Sequence, residues 1–68
     1  DTRDREELMT MTNNAIGRLP EQYREALMMH RLDGMSYKEI AEQLQISPKT
    51  VDYRIQQSLR LLRAWLKN

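Results

Sequence analysis

The stretch Ser36–Ile55, SYKEIAEQLQISPKTVDYRI, decides the fold. Ile40, Ala41 and Leu44 fall at the spacing of one apolar stripe on a helix. Val51 and Ile55, four residues apart, repeat that stripe further on, and Ile46 sits between the two segments. Ala41 is the small residue that lets two helices approach closely. Ser36 and Glu39 form the S-x-x-E pattern of a capping box at the start of the first segment. The second segment starts at Ser47-Pro48: serine is a favoured N-cap, and proline is favoured at the first helical position. Two short helices joined by a tight turn, the second with a polar outer face, form a helix-turn-helix over about residues 36–55. In that motif the second helix can enter the major groove of DNA.

Outward from this motif the chain reads as helix throughout. It is rich in Leu, Met, Glu, Gln, Arg and Lys, and its β-branched residues do not alternate with polar ones. The expected fold class is all-α: a compact four-helix domain with the helix-turn-helix formed by the last two helices. A first helix is expected over about Asp4–Arg18, with Leu8, Met11 or Thr12, Ala15, Ile16 and Leu19 on its inner face. Leu19-Pro20 breaks it, because a residue before proline avoids helical angles. A second helix is expected over about Pro20–Leu32, with Tyr23, Ala26, Leu27 and His30 inward and Met28 and Met29 widening the apolar surface. Asp33-Gly34 ends it, Gly34 acting as a left-handed cap. Met35 is expected to tuck back onto the core, and His30 to be a partly buried packing residue. The third helix runs over about Ser36–Leu44. The fourth, about Pro48–Leu66, is too long for a recognition helix alone. Its stripe runs through Val51, Ile55, Ser58 or Leu59, Leu62 and Leu66, with Leu61 and Trp65 alongside.

Size and composition bound the function. Sixty-eight residues make one small domain with little core. With no cysteine and a single histidine, neither a disulfide framework nor a structural zinc site is expected, and no metal or cofactor is. No apolar run approaches the length of a membrane span. The chain begins at Asp1, which reads as a fragment of a longer protein. The net charge of +1 is unevenly spread. Residues 1–34 hold five basic and seven acidic side chains, a net −2; residues 35–68 hold six and three, a net +3. A basic C-terminal half points to a polyanionic partner, although Lys and Arg near a helix C-terminus also serve its dipole. No nucleophile–base pair, metal set or phosphate-binding glycine loop is present, so an enzyme is not expected.

Off the apolar stripe of the fourth helix lie Lys49, Asp52, Tyr53, Gln56 and Gln57, the side chains a groove-facing surface would use to read bases. Glutamine pairs with both edge groups of adenine, lysine favours guanine, and an aspartate accepts from the cytosine amine. Tyr53 offers a ring to a thymine methyl. Tyr37, Lys38, Ser47, Thr50, Arg54 and Arg60 suit phosphate contacts, aided by the helix N-terminus. Each of these taken singly also reads as an ordinary solvated residue; together, on one face of a helix-turn-helix, they point to DNA contact. Asp52 stands apart, since phosphates repel it. It either reads a cytosine amine or fixes Lys49 or Gln56, its reachable neighbours.

The order of these features resembles a known family. Leu19-Pro20, then a helix, then Leu32-Asp33-Gly34-Met35-Ser36-Tyr37-Lys38-Glu39-Ile40-Ala41, then Ile46-Ser47-Pro48-Lys49-Thr50-Val51 and Arg54-Ile55, is similar to region 4 of bacterial sigma factors. Within the sigma-70 superfamily it is most similar to the extracytoplasmic-function (ECF) group. The resemblance covers about residues 12–66. It implies a four-helix unit in the bacterial cytoplasm that binds the −35 promoter element as double-stranded DNA. It also implies docking on the β flap of RNA polymerase core, and, as for many ECF factors, masking by an anti-sigma factor. One departure stands out. Where the family commonly carries basic residues after its Thr-Val pair, this chain has Asp52, Gln56 and Gln57, and only Arg54 fits. Weak DNA affinity of the chain by itself is therefore expected.

Two other readings remain. A LuxR-type output domain shares S-x-K-E-I-A and I-S-x-K-T-V, but usually opens with Leu-Thr-x-Arg-Glu where this chain has Leu19-Pro20-Glu21-Gln22-Tyr23. A protein-interaction module would use Met9, Met11, Met28 and Met29 as an adaptable surface.

Overall fold

The computed structural model describes residues 13–66 of the chain. This part contains four helices and no strand: α1 over residues 13–18, α2 Glu21–Arg31, α3 Tyr37–Leu44 and α4 Pro48–Leu66. The part of the first helix expected before residue 13, with Leu8, Met9 and Met11, lies outside the described residues.

Each boundary has a local cause. α1 ends where Leu19 N–H turns back to the Ile16 carbonyl at 3.1 Å. The Arg24 guanidinium then donates to the Gly17 carbonyl at 3.2 Å, so a residue of α2 closes the end of α1. Pro20 takes the N-cap position of α2 with φ −52° and ψ 143°, and its carbonyl accepts from Tyr23 and Arg24 N–H at 3.0 Å each. The helix therefore starts one residue later than expected, because proline's ψ here is extended. At the far end Gly34 has φ +67°, the left-handed conformation expected of it.

α3 opens with a complete capping box. Ser36 Oγ accepts from Glu39 N–H at 3.1 Å, and Glu39 Oε1 accepts from Ser36 N–H at 3.0 Å. Its C-terminus is less ordinary. Gln45 is left-handed, with φ 59° and ψ 45°, the one non-glycine residue of positive φ among those described. In that conformation Gln45 N–H reaches the Ala41 carbonyl, and Ile46 N–H reaches the same carbonyl at 3.0 Å. The turn of the motif is thus closed by backbone bonds, and Ile46 packs against the core. Ser47 then caps α4: its Oγ accepts from Thr50 N–H at 3.1 Å, and its carbonyl accepts from Val51 N–H at 3.1 Å.

The core sits where α2, α3 and α4 meet, with Ala15 and Leu19 closing one side. Ala26, Leu27 and Met29 come from α2, Ile40 and Ala41 from α3, and Val51, Ile55 and Leu62 from α4. Leu44, Ile46 and Met35 flank this core as half-buried residues, as the motif stripe requires. Between Ile55 and Leu62 the buried residue is Ser58, not Leu59, which is only half-buried. Ser58 Oγ lies 3.0 Å from the Tyr23 carbonyl of α2 and 2.8 Å from the Arg54 carbonyl one turn back in α4. The small side chain lets the two helices close, and its single hydroxyl hydrogen is shared between a carbonyl of each.

His30 differs from its expected role: it is exposed, not partly buried. Its Nδ1–H donates to the Met35 carbonyl at 2.9 Å, and its ring stands edge-on to Tyr37 at 5.0 Å. The chain reversal at Gly34 presents that carbonyl outside the core, and the imidazole follows its hydrogen bond.

Two outcomes follow from these end structures. Gln45→Gly removes the steric cost of a left-handed side chain and adds back glycine's entropy, for a net stabilisation of about 0.5–1 kcal/mol in denaturant unfolding. The Glu39 carboxyl is held below its ordinary pKa, first by the Ser36 N–H and then by the Ser36 side chain, with a slight loss of hydration opposing. A lowered folded-state pKa stabilises above the unfolded value and is lost as pH falls through the folded one. Glu39→Gln keeps an acceptor for Ser36 but does not titrate. Between about pH 5 and pH 3 its melting temperature is therefore expected to fall less than that of the unsubstituted chain.

Candidate nucleic-acid interface

The buried line Val51, Ile55, Ser58 and Leu62 fixes how α4 is rotated about its axis. Residues half a turn away must point outward. Lys49, Asp52, Tyr53, Gln56 and Arg60 do so: all five are exposed, and each lies three or four residues from another of the set along the helix. The structure therefore brings four of the expected base-reading residues onto one face, with Arg60 one turn beyond Gln56. Gln57 and Arg54 lie at the edges of that face, each half-buried.

The N-terminus of α4 leaves few backbone donors open. Pro48 has no N–H, and the N–H of Thr50 is taken by Ser47 Oγ. The Ser47 and Thr50 hydroxyls share a hydrogen bond of 2.9 Å. One hydroxyl hydrogen of this pair remains available to an incoming acceptor, since a single shared bond uses only one of the two. Lys38 is exposed in the first turn of α3. Tyr37 sits differently from the other expected phosphate contacts. It is half-buried against His30 and lines a shallow groove with Leu27, Arg31, Ile55 and Leu59.

One neighbour of this face carries no signal in the sequence. Tyr53 is 57% exposed, yet its ring lies edge-on to Tyr23 of α2, with centroids 6.4 Å apart and planes at 76°. The hydrogen-bonding phenol of Tyr53 and then burial hold the Tyr23 hydroxyl above its ordinary pKa, while Arg54 pulls the other way. The two tyrosines are thirty positions apart, so no spacing rule links them; only the α2–α4 crossing does. At the far end of α4, the Arg18 guanidinium lies 5.0 Å from the Trp65 ring centroid, tying α1 to the long helix by a cation–π contact.

Such a surface has the parts of a groove reader: a rigid helix, exposed amide and charged side chains, and a hydroxyl donor at the helix start. No described helix is long and apolar enough to cross a membrane. Comparison with known proteins gives one positive finding: the family model for sigma-70, region 4 matches residues 10–62. Neither the curated proteins nor the solved structures contain a match. That family is a DNA-binding one, which in sigma factors engages the −35 element, and it is not a family of enzymes. Its match decides against the LuxR-type reading. With the matched span covering the helix-turn-helix and the helix that packs behind it, the chain belongs to the sigma-70 region 4 family.

Proposed function

We propose that the chain is the −35 recognition domain of an ECF-type sigma factor, working in the bacterial cytoplasm as part of RNA polymerase. The observation that carries this reading is the outward face of α4, where Lys49, Asp52, Tyr53, Gln56 and Arg60 stand opposite a fully packed inner stripe. The Leu19-Pro20 start and the Asp33-Gly34-Met35-Ser36-Tyr37 passage into α3 favour a sigma factor over other helix-turn-helix regulators, and the ECF assignment rests on the overall resemblance to that group. In this reading Lys49, Asp52, Tyr53, Gln56 and Gln57 contact bases. Lys38, Ser47, Thr50, Arg54, Arg60 and the Tyr37 hydroxyl position the domain on phosphates.

The domain carries out no chemistry. It supplies binding energy and register, so that polymerase core, docked through its β flap, meets the promoter at a fixed distance. An anti-sigma factor covering these surfaces would hold it inactive. With only Lys49, Arg54 and Arg60 as bases on this part of α4, and Asp52 against them, the electrostatic contribution to affinity is small. Polymerase core therefore supplies much of the binding.

Selection of bound duplexes from random DNA, by the full-length factor with polymerase core, tests the reading. Enrichment of one −35-like element only when core is present supports it. Tight binding of a palindrome by the chain as a homodimer contradicts it. Once the element is known, Gln56→Ala is expected to cost about 1–3 kcal/mol at one base pair and to relax preference there. Arg54→Ala is expected to weaken all duplexes alike and to reduce the slope of log affinity against log salt by about 1.

A further inference from the structure

We propose that Tyr23 of α2 is a positioning residue for DNA recognition: it holds the ring of Tyr53 upright on the outer face of α4. The inference rests on the reading of that face as the DNA-contacting surface. A tyrosine 57% exposed on a helix would ordinarily sample several rotamers. Tyr53 instead has a partner, its ring edge-on to that of Tyr23 at 6.4 Å and 76°, within the range that aromatic pairs favour.

Tyr23 is itself immobilised. Its carbonyl lies 3.0 Å from the Oγ of Ser58, which is fully buried in α4. Ser58 is five residues beyond Tyr53, so the bond fixes the backbone of Tyr23 about a turn and a half along α4 from Tyr53. From there the Tyr23 ring reaches back along α4 to the Tyr53 ring. A ring held before DNA arrives loses less rotamer freedom on binding than a free one. The second helix thereby takes part in recognition without touching a base.

A double-mutant cycle on the full-length factor with polymerase core tests this, using a fluorescent duplex bearing the selected −35 element. Removing Tyr23 with Tyr23→Ala is expected to weaken binding about two- to tenfold, the size of one ordered side chain. In a Tyr53→Ala background the same change is expected to cost nothing further. Tyr23→Phe, which keeps the ring, is expected to bind within about twofold of the unsubstituted factor. Equal losses from Tyr23→Ala with and without Tyr53 would show a merely structural effect and overturn the proposal while leaving promoter recognition standing. No binding of any −35 duplex by the unsubstituted factor with core would overturn the recognition reading itself.

Discussion

The hydroxyl of Ser58 is the point on which the arrangement turns. It is fully buried where α2 crosses α4, and it lies within hydrogen-bond distance of one carbonyl on each helix. A larger side chain there would separate the helices, and an apolar one would leave the Tyr23 carbonyl with one partner fewer. Because the contact is specific in both distance and register, it sets the rotation of α4 as well as its position. That rotation sends Val51, Ile55 and Leu62 inward, and it leaves Lys49, Asp52, Tyr53, Gln56 and Arg60 facing out. A domain of sixty-eight residues has little core to spare. Here it uses one polar contact to define a surface that apolar packing alone would orient less strictly.

The turn before α4 works by a similar economy. Gln45 accepts a left-handed backbone so that its own N–H and that of Ile46 can both close on the Ala41 carbonyl. Ser47 then satisfies the next orphan donor through Thr50. With the donors around the turn tied within the chain, the angle between α3 and α4 is held by hydrogen bonds as well as by the packing of Ile40, Ala41 and Val51. A recognition helix has to arrive at the groove already oriented, since any freedom left at the turn is lost on binding.

Much of this was legible in the residues themselves. The apolar spacing of Ile40, Ala41, Val51 and Ile55, the Ser36–Glu39 capping box and the Ser47-Pro48 start are local signals, and local signals survive into the fold. Gly34 as a left-handed residue is of the same kind. Gln45 was not legible, because glutamine carries no turn preference and only the closure of the motif forces it left-handed. The choice between Ser58 and Leu59 for the buried stripe could not be made by periodicity, as both fit it; the close crossing with α2 selects the smaller. His30 misled because it falls on the apolar face of α2, whereas a carbonyl beyond the helix end draws it outward. The Tyr23–Tyr53 and Arg18–Trp65 contacts depend on helix crossings, which single-helix patterns do not encode. The face of α4 was legible as a set, while the separate part each residue plays on DNA belongs to the complex.

The account therefore stands on a single geometric claim, that the outward face of α4 and its flank at Tyr23 meet the promoter. Amide chemical-shift mapping of the isotope-labelled chain, titrated with a duplex bearing the −35 element, examines that claim residue by residue and detects weak binding. The account predicts shifts concentrated at Lys49, Asp52, Tyr53, Gln56 and Arg60, with Tyr23 included and the groove floor at Leu27 and Leu59 little changed. Shifts confined to that groove, with the outer face of α4 silent at saturating duplex, would contradict it.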